Sequence, residues 1–386
     1  MIKRVEVNYR GITQKNLAKK IGSDLVFIAS RMGRTAFSNG RYSDAPERDG
    51  IPCKYFTFVT HDLEEEELEA ECGAKLDIDS ADISVVLDDT MCKGVEPWGW
   101  HGIRPINEKI VEEGACLLVV SRHSHDDLLQ HIGHKPFSWR LAIIDGDANM
   151  AGLWVNKDDL CYEKVLGGIA AVDPDVVGIE AVEAFLLERT KDPKRAQAAR
   201  DAYNQVLQKT RVVNSEEGIA WPYENPVLPK WHEFNEGVAV RAIERHFEVG
   251  PRGQSRNLTF KRGTTKSLRP MVRFDLCIKC TLCWLECPDE CFDPTSDGLY
   301  DIAYDYCTGC GKCAAVCPVK ECIVMVDELK FLDYSSPWEA YNKDKMGYTE
   351  WVEEKKGKDR YFYPHVTGKG FEMREGTTVP FKEVRK

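Results

Sequence analysis

No apolar run in the 386 residues is long enough to cross a bilayer, so no membrane span is expected and the chain should behave as a soluble protein. Positive charge is also short: 52 Lys and Arg stand against 63 Asp and Glu, a net charge of −11. That balance excludes nucleic acid as a main partner, because phosphate binding needs a basic surface. The start, MIKRVEVNYRG, passes directly into alternating strand pattern without the apolar stretch of an export signal, so a cytoplasmic location is expected. No nucleophile, base and acid stand out as a set. Bond-making chemistry is therefore expected on another polypeptide.

Cysteine, by contrast, is abundant, and 8 of the 15 fall in two runs. Cys277-Cys280-Cys283-Cys287-Pro288 and Cys307-Cys310-Cys313-Cys317-Pro318 both follow the spacing CxxCxxCxxxCP. Three cysteines on one tight loop supply three thiolates to a [4Fe-4S] cube, and in two-cluster ferredoxins the fourth ligand comes from the other run. The spacing predicts two [4Fe-4S] clusters, one held by Cys277, Cys280, Cys283 and Cys317, the second by Cys307, Cys310, Cys313 and Cys287. Zinc would call for paired CxxC or Cys/His mixtures instead. Cys291 and Cys322 follow each run and read as packed thiols beside the clusters. The remaining cysteines, such as Cys53, Cys72, Cys92, Cys116 and Cys161, are scattered as reduced core residues would be.

Residues 1–190 read as an α/β domain with a mainly parallel sheet covered on both faces, a three-layer arrangement. Strand-like stretches run from Arg4 to Asn8, Tyr55 to Thr60, Ile83 to Leu87, Cys116 to Val120 and Leu141 to Ile144, with amphipathic segments at Leu25 to Phe37 and Ile106 to Glu113 between them. Val165 to Glu188 reads as two helices broken at Asp173-Pro174. Asp192-Pro193 supplies an N-cap and a first-turn proline for a helix reaching about Lys209. Residues 191–263 read as that helix plus an extended linker marked by Trp221-Pro222, Asn225-Pro226 and Leu228-Pro229, with a short helix near Val238 to Phe247.

Residues 264–330 form the cysteine-bearing domain. Gly250 to Asp275 carries 7 basic residues and 1 acid, whereas Leu276 to Lys330 carries 10 acids and 4 bases, so the basic strap is expected against an acidic surface. Residues 331–386 hold 11 aromatics in 56 residues with little periodicity, a composition suited to a tail that docks on a partner or, equally, wraps on the chain's own domains. His123, His125, His131 and His134 match no metal spacing and read as a polar loop. Glu64 to Glu67 reads as a solvated acidic run. Asp145-Gly146-Asp147 is superficially like a diphosphate-binding motif but lacks its downstream context.

The segment TKSLRPMVRFDLCIKCTLCWLECPDECF followed by YDYCTGCGKCAAVCPVKECIVMVDE, with Arg269-Pro270 ahead of the first run, resembles the ferredoxin-type delta subunit of the 2-oxoacid:acceptor oxidoreductases, the pyruvate synthase family. Ala45-Pro46-Glu47-Arg48-Asp49-Gly50-Ile51-Pro52, after Gly40-Arg41-Tyr42, is similar to the GPERRGxP signature of the gamma subunit. Together these make the chain look like a fused gamma-delta subunit. The resemblance implies alpha- and beta-type partner subunits carrying thiamine diphosphate and Mg, an external ferredoxin or other electron acceptor, and coenzyme A as cosubstrate of the complex. One departure stands out: the GxGGQG loop of gamma subunits is missing after Tyr9-Arg10-Gly11, and the helix start is placed at Lys19 to Asp24. Lys19, Lys20 and Arg48 are the candidate contacts to coenzyme A phosphates.

The resemblance implies an electron-transfer subunit, passing electrons from oxidative decarboxylation of a 2-oxoacid on a partner through the two clusters. Pyruvate is the expected substrate, with oxalate or an aryl-glyoxylate as alternatives. The competing reading is an iron-sulfur adaptor or redox sensor without turnover of its own.

Overall fold

The computed structural model describes residues 1–41, 52–73, 77–95, 104–146, 160–221, 266–356, 361–367 and 370–376. The chain divides into two compact units, one carried mainly by residues 1–224 and the other mainly by residues 225–386.

The first unit opens with strand β1 (Lys3–Arg10), whose alternation sends Val5, Val7 and Tyr9 to one face and Glu6, Asn8 and Arg10 to the other. All six are buried, so the polar face has to satisfy itself internally. Glu6 accepts from Ser84 Oγ at 2.5 Å and pairs with Lys54 Nζ at 3.0 Å. Helix α1 (Gly11–Arg31) follows without a connecting residue. Its buried positions Gln14, Ala18, Ile21, Leu25 and Ile28 step by four and three along one stripe. The expected amphipathic segment Leu25 to Phe37 is therefore corrected at both ends. The helix stops at Arg31, Gly33 turns the chain at φ +73, and Thr35–Arg41 becomes strand β2.

Strand β3 (Pro52–Thr60) lies between β2 and β1 and antiparallel to both. Helix α2 (Glu65–Cys72) begins with a capping box between Glu64 and Glu67, so the acidic run sits where the helix dipole favours it. Strands β4 (Ile83–Val86), β5 (Cys116–Ser121) and β6 (Trp139–Asp145) extend from β1 in parallel, and β7 (Arg211–Val213) closes the far edge antiparallel. The order is β2-β3-β1-β4-β5-β6-β7, with only β3 and β7 running against the other five strands. A mainly parallel sheet in a mixed α/β unit is what the strand spacing predicts.

Between β5 and β6 lies the short helix α3 (His125–Leu129). Helices α4 (Cys161–Val172), α5 (Ile179–Thr190) and α6 (Pro193–Lys209) share one core with α1 and the odd-numbered face of β1, β3 and, farther along, alternate residues of β4 to β6. Asp192 accepts from the Lys194 amide, so the cap and the proline act as the sequence indicates. Ile106 to Glu113 is not a helix but a series of turns that still buries Ile106 and Ile110. The segment ends in two acids, Glu112 and Glu113, the wrong charge for a helix C-terminus, and Gly114 follows.

The second unit is built on two ribbons. Strand β8 (Leu268–Val272) pairs antiparallel with β11 (Ile323–Asp327), and β9 (Phe292–Pro294) pairs with β10 (Tyr300–Ile302). One short helix follows in each cysteine run, α7 (Leu282–Leu285) and α8 (Lys312–Val316). Helices α9 (Pro337–Lys343) and α10 (Lys345–Lys356) then pack back on the same core. For its first part, the aromatic tail packs on its own unit. Phe331, Tyr348 and Val352 are core residues, Tyr348 stacks near Phe274 with ring centroids 5.6 Å apart, and its hydroxyl donates to the Val272 carbonyl at 3.0 Å. The rings that looked like partner anchors close a small unit that has little else to bury. Strands β12 (Tyr361–Thr367) and β13 (Gly370–Gly376) form a hairpin beyond it.

Helices α4 and α6 cross so closely that a Cβ on Gly167 would lie 2.0 Å from the Ala199 carbonyl oxygen. Gly167→Ala is expected to destabilise the first unit by about 3 kcal/mol, read as a lower denaturant midpoint with an unchanged slope. A midpoint within error of the parent contradicts this close crossing.

Candidate metal centre

The turns of the second unit bring the cysteine runs together. Gly309 and Gly311 adopt positive φ in the second run, and Lys279 and Thr281 do so at the matching places of the first. This backbone curls three thiols of each run toward one side, where short helices α7 and α8 fix the third. Amides of Lys279 and Gly309 donate to the sulfurs of Cys277 and Cys307, each at 3.4 Å. Such N–H···S contacts are among the levers that set a cluster's potential.

One cavity of about 440 Å³, solvent at its mouth included, is lined by Cys277, Cys280, Cys283 and Cys317, with Val272, Phe292 and Ile323 as apolar wall. Three of these thiols come from the first run and one from the second. Burial pushes the Cys283 thiol up to about 12, and the neighbouring sulfurs of Cys277, Cys280 and Cys317 add to it. The other four converge likewise. Cys313 is pushed up by burial and by the sulfurs of Cys307, Cys310 and Cys287, and Cys310 by burial, Cys307 and Cys287.

Cys291 and Cys322 join the two runs. The Cys322 thiol neighbours Cys277 and Cys317 and points to the Arg273 carbonyl at 3.6 Å, and the Cys291 thiol neighbours Cys287 and Cys307 and points to the Asp289 carbonyl at 3.6 Å. Each is 2 % exposed, and the neighbouring sulfurs together with burial hold it protonated. Among the described residues no group of three or more His, Cys, Asp or Glu closes on a single point as one metal ion requires. The first set of thiols instead surrounds a volume. Sulfur donors facing one another across an apolar cavity are the chemistry that a cationic multi-iron core neutralises, so these residues fit such a group.

Behind the second run is a charge cluster that the sequence does not announce. Arg269 on β8 forms a two-pronged bond to Glu328, Nε to Oε2 at 2.9 Å and an NH2 nitrogen to Oε1 at 2.7 Å, with both side chains 1–2 % exposed. The guanidinium also lies 4.2 Å from the Tyr304 ring centroid and 4.3 Å from that of Phe331. Lys266 Nζ is 3.9 Å from Glu328 and fully buried. The described end of the basic strap therefore inserts into its own unit.

Of the candidate anion contacts in the first unit, Lys19 and Lys20 are among the described residues. Lys19 and Lys20 lie on α1, about 13 Å beyond its first residue at 1.5 Å per residue, and Lys20 Nζ sits 3.5 Å over the Tyr162 ring. Burial lowers the Lys20 pKa. Arg48 and the rest of the Ala45 to Ile51 segment lie outside the described residues. At the β1 end itself the Arg10 amide donates to Gln14 Oε1 at 2.7 Å, and its guanidinium binds Thr90 Oγ1 at 2.9 Å beside Asp88 at 3.6 Å. Asp88 and Asp89 are buried there. A strand running straight into a helix, with carboxylates beside it, does not fit a phosphate cradle. The expected helix start at Lys19 to Asp24 fails for the same reason, since α1 has already made two turns there.

The histidines stay apart in role. His125 opens α3, His131 is buried, and His134 Nδ1 meets the Ile219 carbonyl at 3.2 Å. Asp145 ends β6 and Asp147 lies outside the described residues.

Residues 271–325 match the 4Fe-4S dicluster domain family. Pyruvate synthase subunit PorD of Thermotoga maritima is 42% identical over 73 residues, which is 19% of this chain and 73% of that protein. The chain belongs to the PorD family. Ketoisovalerate oxidoreductase subunit VorD of Pyrococcus furiosus is similar over the same end, 33% identical across 85 residues, 22% of this chain and 80% of VorD. This PorD-like part makes the chain an iron-sulfur electron-transfer subunit of a 2-oxoacid oxidoreductase. Pyruvate oxidoreductase subunit PORC of Thermotoga maritima covers 55% of this chain and 99% of its own length at 16% identity and a TM-score of 0.38. At that score the strand order, not the likeness, defines the α/β class.

Arg269→Met removes the two-pronged partner of the buried Glu328 carboxylate. The expected cost is about 3–5 kcal/mol, seen as a lower guanidinium midpoint for loss of iron-sulfur absorbance; an unchanged midpoint shows that the fork is dispensable.

Proposed function

We propose that the chain is a fused gamma-delta subunit that takes electrons from a thiamine diphosphate and Mg centre on alpha- and beta-type partners. It passes them through two [4Fe-4S] clusters to an external ferredoxin or other acceptor. Cys277, Cys280, Cys283 and Cys317 hold the first cluster, and Cys307, Cys310, Cys313 and Cys287 the second. The observation that carries this assignment is the cavity whose thiols are three from one run and Cys317 from the other. The placement of Cys322 and Cys291 supports the same crossing, because each neighbours one cysteine from each run.

Bound clusters supply one-electron storage. The protein's part is to hold the thiols, offer N–H groups to them and keep water from the inner sulfurs. Tyr300 and Phe292 line the first cavity, and in the second set Cys307 and Cys313 are buried. The apolar wall lets neighbouring charges act strongly on the reduced state.

The gamma-type role of the first unit rests on the APERDGIP segment and on the order of its strands. The substrate is a 2-oxoacid, pyruvate by the PorD match, with oxalate and aryl-glyoxylates as the alternatives. The filled β1 end supports a complex that does not bind coenzyme A phosphates at that place on this chain. The work is assigned to the cytoplasm. Purifying the native complex and running a 2-oxoacid panel with and without coenzyme A tests the whole reading. Thiamine diphosphate, stoichiometric partners and acceptor reduction are expected, and a chain isolated without them supports an adaptor instead.

Cys280→Ser is expected to lower the iron content from about eight to about four atoms per chain and to abolish acceptor reduction while partner subunits still co-purify. Unchanged turnover rules out an obligatory path through the first cluster.

A further inference from the structure

The two cysteine runs share a spacing but not a charge environment. Beside the first run the cation is Lys279, exposed to solvent, its ammonium donating to the Asp297 carbonyl. Beside the second is Lys266, 0% exposed. Its Nζ donates to the Tyr304 carbonyl at 2.8 Å, the same oxygen that accepts the Cys307 amide at 3.3 Å. Its stem runs against the ligand loop, where a Cβ on Gly309 would lie 2.8 Å from Lys266 Cβ. The side chain is fixed from behind by the Tyr334 ring, 4.4 Å from Nζ to the centroid, and by Glu328 at 3.9 Å.

Glu328 is already engaged by the fork from Arg269. Two buried cations therefore lie against the same carboxylate; burial lowers the Lys266 pKa, and Glu328 opposes that. Asp289 also faces the second run, accepting from Thr308 Oγ1 at 2.8 Å, but it is partly exposed and screened by water.

We infer that Lys266 is a positioning residue that makes the cluster of the Cys307 run the more easily reduced of the two. Reduction adds one electron and one negative charge to a cluster. A fixed ammonium behind Cys307, out of water, stabilises that added charge more than a solvated Lys279 does at the other run. The Arg269–Glu328 fork lies behind Lys266 and fixes the carboxylate it faces. The inference rests on the crossed ligand assignment above.

The test is an anaerobic reductive titration of the full chain within its complex, followed by EPR, with iron counted in every sample. Lys266→Met keeps the stem and removes the charge. It is expected to lower the reduction equilibrium constant of one cluster at least tenfold, 59 mV for a one-electron couple, and to leave the other within threefold. Lys266→Arg is expected to restore it. In a Cys280→Ser background the surviving cluster is expected to move with Lys266→Met; in a Cys310→Ser background it is expected to stay.

An iron-replete Lys266→Met chain with both midpoints unmoved, or with the shift in the Cys277-run cluster, overturns the inference. If Lys266→Met loses its iron, Glu328→Gln decides. Removing that negative charge is expected to raise the same midpoint by a tenfold change in equilibrium constant, and no rise overturns the inference. A Cys280→Ser chain that keeps both clusters refutes the ligand assignment, whichever way Lys266→Met behaves.

Discussion

The fork between Arg269 and Glu328 joins the start of the second unit's β-ribbon to its end, across 59 residues of sequence. Those residues contain every cysteine of both runs. With strands this short and a core made largely of sulfur and aromatic rings, the unit has little apolar area with which to resist opening. A buried, two-pronged ion pair is costly to desolvate and still more costly to break, so it selects one register for β8 against β11. That register sets the Cys277 loop and the Cys317 turn on the same cavity.

The aromatic residues after Phe331 complete the same design. Phe331 and Tyr334 lie over the buried cations, while Tyr341 and Tyr348 pack on Phe274 just ahead of Cys277, with Trp351 against Tyr348 and Phe331. A small metal-bearing domain commonly needs its metal to fold. Here an added helical pair supplies cover that the short strands cannot. The first unit has the opposite character, with a sheet buried on both faces and a closed polar network at its strand ends.

The cysteine runs were legible because their information is local: a spacing, a turn and a proline. The same holds for the Asp192-Pro193 helix start, which needs only a cap and a ring. Helix α1 was misplaced because its early buried positions are Gln14 and Ala18, which carry no apolar signal. Strand β2 was hidden by its polar residues at a sheet edge. The partnership of Lys266, Arg269 and Glu328 left no trace in the sequence, since no period or spacing links positions about sixty residues apart. The basic strap was visible as charge, and its described end is buried beside a glutamate of its own unit, one of the two acidic surfaces its composition left open.

The central claim is that the two runs share their ligands, which forces the two clusters to sit close together in one small unit. The most direct measurement is the EPR spectrum of the anaerobic chain at half and at full reduction. Crossed ligation predicts that a simple single-cluster signal at half reduction gives way to a broadened spectrum split by magnetic interaction when both clusters are reduced. A fully reduced spectrum that is merely the sum of two undisturbed signals contradicts the account.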